Sequence, residues 1–454
     1  MVKIQCSYTV TPSETKPTPP PTLSLSHCDQ LKLPNHGSQI YLYTPSTTTT
    51  EPPPPLSISI HTLRTSLSKA LTHYYPFAGR LHWIEAGRME LLCNSKGVHL
   101  LGATSDVPFD DFGDLADTHV AEQLAPRVDY SVPIEEVPLL VVQLTWFPCG
   151  SITLGLTLCR VLVDGTSLGR FMSFWAKLAK VESLDLSLLP FLDRTVLDSC
   201  RLNLSPRFEH PEFSPPPIWE GSSNVTTTSL YATAVFKLTR VQAGKLKKKA
   251  NSNNNVRGGY TSFEVMSGHL WRCVCKVRYA GNGNQPTRLT TLVNCRNRLS
   301  PPLPDGYFGN ATFPAVTQTC SFVEIMQSPV GYAAGKIRGA VHRMSDGYVR
   351  SALDYLADQK DMNLVRDRLY NSAGQNPNLY VVGWANFPFY ETDFGWGKPV
   401  CLLPGSIGSD GKAFILNDVS GDGFVVAVCL QPSHVDALKK LFYEDIEPAA
   451  TSKL

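Results

Sequence analysis

The sequence predicts a mixed α/β protein built from two units. The chain has 454 residues, more than one hydrophobic core usually supports, so we expect two domains of roughly 200 residues each. Segments with strand-like alternation are interleaved with segments of helical periodicity. The apolar fraction of 43% is near that of ordinary globular proteins, which favours an ordered chain.

Strand patterns occur in both halves of the chain. Residues 1–10 alternate like a strand. Residues 139–147 and 152–159 are apolar runs separated by four turn-forming residues, a pattern typical of a hairpin. Residues 412–416 and 424–430 flank Ser-Gly-Asp-Gly and predict a second hairpin.

Helical periodicity appears between these strands. Residues 62–75 place Leu63, Leu67 and Leu71 on one face. A second amphipathic helix follows the first hairpin, and Thr166 or Ser167 is expected to cap it.

Proline and asparagine mark the breaks between elements. Residues 17–21, 47–55 and 251–259 are expected to be surface loops. The proline-rich stretch 206–223 is predicted to connect the two halves. We therefore predict a first domain over 1–205, a connecting loop over 206–223 and a second domain over 224–454.

The charge balance argues against polymer partners. Lys and Arg number 41 against 39 Asp and Glu, for a net charge of +2, so the chain has no basic footprint for nucleic acid or an anionic membrane. No apolar run is long enough to span a membrane. Small molecules are the expected partners.

The cysteines predict neither a metal site nor a disulfide framework. The 12 cysteines are scattered, without a CxxC pair or a His/Cys cluster at zinc-ligand spacing. The N-terminus lacks the apolar core of a signal peptide. Reduced thiols in an intracellular protein are expected.

The last three residues are Ser452, Lys453 and Leu454, the tripeptide read by the peroxisomal import receptor. We therefore expect a peroxisomal protein, with the cytoplasm as the alternative.

Six motifs carry a resemblance to a known family. They are CDQ at 28–30, HYYPFAGRL at 73–81, VDG at 163–165, FEVMSGHLWRCVCKVR at 263–278, NCRNRLSPPLPDGYFGNA at 294–311 and DFGWGKP at 393–399. In this order they resemble plant BAHD acyltransferases from end to end. The opening VKIQCSYTVTPSE looks most like the spermidine hydroxycinnamoyl transferases of that family.

The resemblance implies two chloramphenicol-acetyltransferase-like domains with a solvent channel between them. It implies a monomer with no bound cofactor, in which a coenzyme A thioester enters one side and an acyl acceptor the other. In the family, the His of an HxxxDG motif removes a proton from the acceptor.

The resemblance also assigns roles to residues of this sequence. Asp164 would pair with an arginine, either Arg296 or Arg298. Trp384 would line the channel, and Thr261 and Ser262 would contact the coenzyme A arm. The structural positions would include Gly165, Asp393, Gly395 and Gly397.

Aligning on VDG places Arg160 at the catalytic histidine. An arginine stays protonated and has donors only, so it cannot act as the base. It could donate to a thioester oxyanion or hold a substrate carboxylate. The sequence departs from the family at two further positions, with Asn294 in place of Asp and Gly383 in place of a small hydroxyl residue.

Three functions remain open at this point. The first is acyl transfer to an amine, because an amine attacks while neutral and tolerates loss of the base better than an alcohol does. The second is lyase, isomerase or cyclase chemistry in which Arg160 binds or polarises the substrate. The third is a non-catalytic paralogue.

Overall fold

The computed structural model of the chain describes residues 1–14, 19–45, 55–112, 118–183, 185–198, 208–219, 231–252, 257–370, 376–385, 387–405, 407–418, 421–444 and 446. The C-terminal tripeptide lies outside the described residues, and the predicted connection 206–223 is described only over 208–219.

Strands and helices alternate along the chain. The strands are β1 Val2–Val10, β2 Thr22–Ser24, β3 His36–Tyr43, β4 Arg80–Ile84, β5 Arg88–Leu92, β6 Val98–Ser105, β7 Leu140–Trp146, β8 Ile152–Cys159, β9 Ala232–Thr239, β10 Pro286–Thr287, β11 Leu289–Asn294, β12 Thr312–Val316, β13 Cys320–Ser321, β14 Leu379–Gly383, β15 Cys401–Pro404, β16 Lys412–Asn417 and β17 Gly423–Leu430. The helices are α1 His27–Gln30, α2 Leu56–His73, α3 Thr118–Leu124, α4 Gly165–Ala179, α5 Arg240–Asn251, α6 Ser262–Arg278, α7 Phe322–Gln327, α8 Val330–Arg343, α9 Asp346–Ala357, α10 Met362–Tyr370 and α11 Pro432–Leu441.

Two six-stranded sheets organise the molecule. The first has the order β1-β6-β7-β8-β3-β15, and the second has the order β12-β11-β14-β16-β17-β9. Both predicted hairpins are confirmed, since β7 pairs antiparallel with β8 and β16 with β17. The parallel pairs, β6 with β7, β11 with β14 and β14 with β16, join strands distant in sequence.

Each large sheet shares a buried core with its own helices. In the first half, Leu67 of α2 and Trp175 of α4 lie in one cluster with residues of β7 and β8. In the second half, Trp271 of α6 and Ala334 of α8 lie in a cluster with residues of β14, β16 and β17. The helices exclude water from one face of each sheet, and that burial supplies most of the driving force for folding. Among the described helices, none has both the length and the apolar character needed to cross a bilayer.

The structure corrects the predicted start of the second helix. Asp164, not Thr166 or Ser167, is the N-cap of α4, and its carboxylate accepts from the Ser167 backbone N–H at 3.0 Å. Asp is a strong N-cap residue because its oxygen satisfies a free amide of the first turn. The helix predicted over 62–75 begins earlier, at Leu56.

One strand of the second half belongs to the first sheet. β15 pairs antiparallel with β3, with Leu402 opposite Tyr41. The first sheet is therefore completed by a segment that follows most of the second sheet in sequence.

Candidate active site

A channel lies between the two halves of the molecule. Its walls come from β3, the turn after β8 and the start of α4 on one side, and from the start of α6, β14 and β16 on the other. Its volume of about 1760 Å³ exceeds the roughly 300–1,000 Å³ of a pocket for one small ligand. The channel therefore has room for two substrates.

The turn that follows β8 brings Arg160 into this channel. The Arg160 backbone N–H donates to the Asn35 carbonyl at 2.9 Å, and the Arg160 carbonyl accepts from the Asn310 side chain at 3.2 Å. Asn310 also donates to the Val161 carbonyl at 2.9 Å. The backbone at position 160 is thus held from both sides of the turn.

The Arg160 side chain passes over a glycine of the neighbouring strand. A Cβ atom added at Gly37 of β3 would stand 2.9 Å from Nη2 of Arg160. Among the described residues, none accepts a hydrogen bond from the guanidinium or forms an ion pair with it. Burial lowers the pKa of Arg160 from its ordinary value, but an arginine remains charged in proteins.

Asp164 of the VDG motif is held by several donors. Its carboxylate receives Arg296 at 2.7 and 3.0 Å and the Ala311 backbone N–H at 2.9 Å. Burial alone would raise the pKa of Asp164, but Arg296 and the backbone donors outweigh it and lower that pKa. Arg298 instead donates to the carbonyls of Val341 and Met344. Arg296 is therefore the partner of Asp164.

Position 165 is a glycine for a steric reason. A Cβ there would lie 2.7 Å from the ring of Phe387 in the channel wall. The absence of a side chain lets this ring pack on the start of α4.

A second buried carboxylate, Asp29 of the CDQ motif, secures the same turn. It pairs with Arg194 at 2.9 Å and accepts from the backbone and side chain of Asn310 at 2.8 and 2.9 Å. Asn310 also holds the Arg160 carbonyl. The CDQ motif and the YFGN segment at 307–310 therefore fix the position of Arg160 together. Both motifs are visible in the sequence, but this role could not be predicted for either of them.

The DFGWG segment lies outside the channel lining. Asp393 accepts from the backbone of Gly395 at 2.8 Å and of Gly397 at 2.9 Å. Both glycines have positive φ, 98° and 84°, which L side chains rarely adopt. Phe394 packs edge-on against Trp175, with ring centroids 4.8 Å apart, so this loop closes the first core.

The remaining predicted residues lie along the channel. Trp384 lines it and packs on Phe414, with ring centroids 4.6 Å apart. Thr261 caps α6 by accepting from the Glu264 backbone N–H at 3.2 Å, and Ser262 begins that helix. Both residues line the channel, as a binding role for Thr261 and Ser262 requires.

A family model described as the Transferase family matches residues 1–445. The chain is a BAHD acyltransferase.

Known plant enzymes are similar in sequence to this chain along most of its length. It is 38% identical to hydroxycinnamoyl-CoA:piscidic acid hydroxycinnamoyltransferase of Actaea racemosa, over 98% of this chain and 100% of the relative. It is 40% identical to shikimate O-hydroxycinnamoyltransferase of Nicotiana tabacum, over 84% and 87% of the two chains. It is 38% identical to a hydroxycinnamoyl-CoA:5-hydroxyanthranilate N-hydroxycinnamoyltransferase of Avena sativa, over 84% and 85%.

Solved structures confirm the fold. Vinorine synthase superposes with a TM-score of 0.75 at 22% identity, over 96% of each chain. F. graminearum TRI101, solved with coenzyme A and deoxynivalenol, superposes with a TM-score of 0.74 at 16% identity, over 92% of this chain and 97% of that one. BAHD acyltransferases use coenzyme A thioesters as co-substrates. The part of the chain that the structure describes contains no group of three metal-ligating side chains.

In this BAHD acyltransferase, a histidine does line the channel near Arg160, but its ring is fully engaged. His36 Nε2 donates to the Pro138 carbonyl at 2.8 Å, and Nδ1 accepts from the Tyr130 hydroxyl at 2.8 Å. Burial lowers the pKa of His36 to about 4. His36 is therefore a neutral structural group, and sequence analysis had no reason to place it beside Arg160.

The structure also brings a lysine opposite Arg160. Lys412 begins β16 and lines the channel. The sequence predicts this residue in a strand but does not assign it to the site, because its pairing with β14 is non-local.

The two other departures from the family have local explanations. Asn294 donates to the Thr166 hydroxyl at 3.3 Å and accepts from the Arg296 backbone N–H at 3.1 Å, so it supports the pairing of Arg296 with Asp164. A Cβ at Gly383 would stand 3.0 Å from the Phe263 ring. A hydroxyl side chain at 383 would therefore require that ring to move.

Proposed function

We propose that this BAHD acyltransferase transfers an acyl group from a coenzyme A thioester to the amino group of an acceptor that also carries a carboxylate. The observation that carries the proposal is the guanidinium of Arg160, which faces the channel without an acidic partner among the described residues.

The absence of a histidine at position 160 favours an amine over an alcohol. A positioned general base typically contributes about 10²- to 10⁴-fold to such a reaction. An alcohol needs that base to become a nucleophile, whereas a neutral amine attacks the thioester and loses its proton afterwards. N-acylation is therefore the reaction least harmed by the change to Arg160.

The charge of the channel favours an acidic acceptor. A partly buried cation without a counterion is unfavourable, and a planar guanidinium binds a carboxylate through two parallel hydrogen bonds. The same guanidinium would repel a polyamine in the channel.

Names of the relatives are consistent with this acceptor class. Acids appear as acceptors in the names of the Actaea racemosa and Nicotiana tabacum enzymes. The Avena sativa enzyme is named as an N-hydroxycinnamoyltransferase of 5-hydroxyanthranilate. We propose that the acyl donor of this chain carries a hydroxycinnamoyl or related aromatic acyl group.

The test measures amide formation by the purified full chain with p-coumaroyl-CoA or benzoyl-CoA. Anthranilate and α-amino acids serve as acceptors, and each is compared with its carboxamide analogue. We expect amide and free coenzyme A in equal amounts. We also expect kcat/KM to be about 10- to 100-fold lower for the carboxamides, since a charge-assisted hydrogen bond contributes about 1.5–3 kcal/mol.

Three results would overturn the proposal. Equal rates with acids and carboxamides would remove the carboxylate requirement. Turnover of a carboxylate substrate without loss of thioester would favour the lyase, isomerase or cyclase alternative, and absence of any turnover would favour the non-catalytic paralogue.

For location, we propose import into peroxisomes through Ser452, Lys453 and Leu454, which lie outside the described residues. The support is the terminal tripeptide itself. An N-terminal fluorescent fusion should co-localise with a peroxisomal marker and become cytosolic when these three residues are deleted. Cytosolic fluorescence from both fusions would end this proposal.

A further inference from the structure

We propose that Lys412 is the proton acceptor of this enzyme and that, from the second sheet, it takes the proton that the acceptor nitrogen releases after attacking the thioester. The inference rests on the proposed function, because the proton in question is the one that leaves the acceptor amine.

The position of Lys412 follows from the geometry of β16. Successive strand residues face opposite sides of a sheet. Ala413 lies in the second core, whereas Lys412 and Phe414 line the channel. Lys412 is half-buried, and its Nζ atom lies 5.4 Å from the centre of the Phe414 ring.

The groups around Lys412 supply no counterion. Its neighbours across the sheet are Tyr380 of β14 and Cys429 of β17, and the positive charge of Arg160 lies in the opposite wall of the same channel. The nearest acidic residue in sequence, Asp410, is in an ion pair with Arg278 at 2.8 Å. Among the described residues, none forms a hydrogen bond or an ion pair with the Lys412 amine.

This environment favours the neutral amine. Burial is the largest effect and the charge of Arg160 adds to it, so the pKa of Lys412 falls well below its ordinary 10.5, with Cys429 opposing weakly. A lysine that is desolvated or placed beside another cation is a known type of base or nucleophile. A substrate carboxylate bound to Arg160 would weaken the effect of the Arg160 charge on the pKa of Lys412. Bound substrates also exclude water, which strengthens the effect of burial.

Other titratable groups of the described channel are less suited. His36 uses both ring nitrogens. Burial raises the pKa of Tyr380 well above its ordinary value, so it holds its proton. The second lysine of the lining, Lys32, donates to the Thr312 hydroxyl at 3.3 Å.

Proton transfer to Lys412 follows attack of the acceptor on the thioester. The acceptor nitrogen attacks the thioester carbon, an N–C bond forms, and the carbonyl oxygen becomes an oxyanion. The Nζ atom of Lys412 accepts the proton from that nitrogen. The C–S bond then breaks, the amide carbonyl is restored, and the coenzyme A thiolate takes the proton from Lys412.

The test compares Lys412→Met and Lys412→Arg with the native enzyme, using anthranilate and an acyl-CoA across a range of pH. Lys237→Met is the matched control, since Lys237 is an exposed lysine of the same sheet outside the channel lining. Both Lys412 variants should lose about 10²- to 10⁴-fold in kcat, with little change in KM for the acyl-CoA and in thermal unfolding. The control should keep native activity.

The Lys412→Arg variant distinguishes a role of Lys412 as a base from a role in binding the substrate carboxylate. Lys412→Arg keeps the positive charge and cannot accept a proton, so activity within a few-fold of native would overturn the inference. The Arg160→Gln variant adds a pH readout, because removing the neighbouring cation should move the acid limb of kcat/KM to higher pH. An unmoved limb would contradict the assignment.

A chemical measurement tests the inference apart from turnover. Competitive acetylation of the folded protein by acetic anhydride, followed by mass spectrometry, gives the pKa of individual lysines. Lys412 should become reactive at a lower pH than Lys237, and equal profiles would overturn the inference. Absence of amide from the native enzyme would count against the proposed function, whereas this profile bears on Lys412 alone.

Discussion

The guanidinium of Arg296 and the carboxylate of Asp164 form a two-point ion pair, with N–O distances of 2.7 and 3.0 Å. The pair joins the turn after β8 to the segment after β11, so it ties the two halves together beside the channel.

Breaking this pair should destabilise the protein. Removing one partner of a buried ion pair typically costs about 3–5 kcal/mol, because the other charge is left uncompensated. We expect Arg296→Ala to lower the free energy of unfolding in urea by that amount. Arg298→Ala, which loses only bonds to the Val341 and Met344 carbonyls, is the control and should cost about 1 kcal/mol. Equal losses would contradict the assignment of the partner.

The same pair predicts a pH dependence. The pKa of Asp164 is lowered from 3.8 in the folded protein, so its stabilisation is present above the unfolded value and is lost as pH falls through the folded one. The difference in unfolding free energy between the native protein and Asp164→Asn should therefore be largest near neutral pH and shrink below about pH 4. Urea unfolding at several pH values checks this, and a constant difference would refute it.

Replacing Arg160 by histidine should change the acceptor preference. An imidazole with a pKa near the operating pH can serve as a base, so Arg160→His should raise acyl transfer to hydroxyl acceptors by about 10²-fold. It should also raise KM for carboxylate-bearing amines. Product analysis with paired amine and alcohol acceptors measures both effects, and Arg160→Gln, which lacks a base and a charge, should show only the second.

Gly37 provides a test of how Arg160 is placed. A methyl group there would stand 2.9 Å from Nη2 of Arg160, and the flexible side chain would have to shift. Gly37→Ala should raise KM for acidic acceptors several-fold, with a stability change below about 1 kcal/mol. In an Arg160→Gln background the same substitution should have little further effect, so additive losses in the double variant would speak against the contact.

Sequence patterns were sufficient where local forces decide the structure. The hairpin of β7 and β8 was predictable because two apolar runs flank a short turn. Local patterns gave the wrong N-cap for α4, since Thr166, Ser167 and Asp164 are all suitable cap residues. The ion pair with Arg296 makes Asp164 the one that is used.

Non-local contacts could not be read from the sequence. Arg296 and Arg298 stand two residues apart, and only the folded segment shows which one reaches Asp164. Lys412 lies in the same channel as Arg160 because β16 pairs in parallel with β14 and the two halves pack together, and the sequence has no marker for either. Motif resemblance therefore located Arg160 on the first wall and Thr261, Ser262 and Trp384 on the second, but not Lys412.

The insertion of β15 into the first sheet has a mechanical consequence. β3, which carries Gly37 beneath Arg160, is hydrogen-bonded on one edge to β8 and on the other to β15. A hinge motion that separated the two halves would break the hydrogen bonds between β3 and β15. Substrates are therefore expected to enter through the ends of a channel whose width stays constant. A protease cut within 206–223 should accordingly leave both fragments in a single particle on gel filtration.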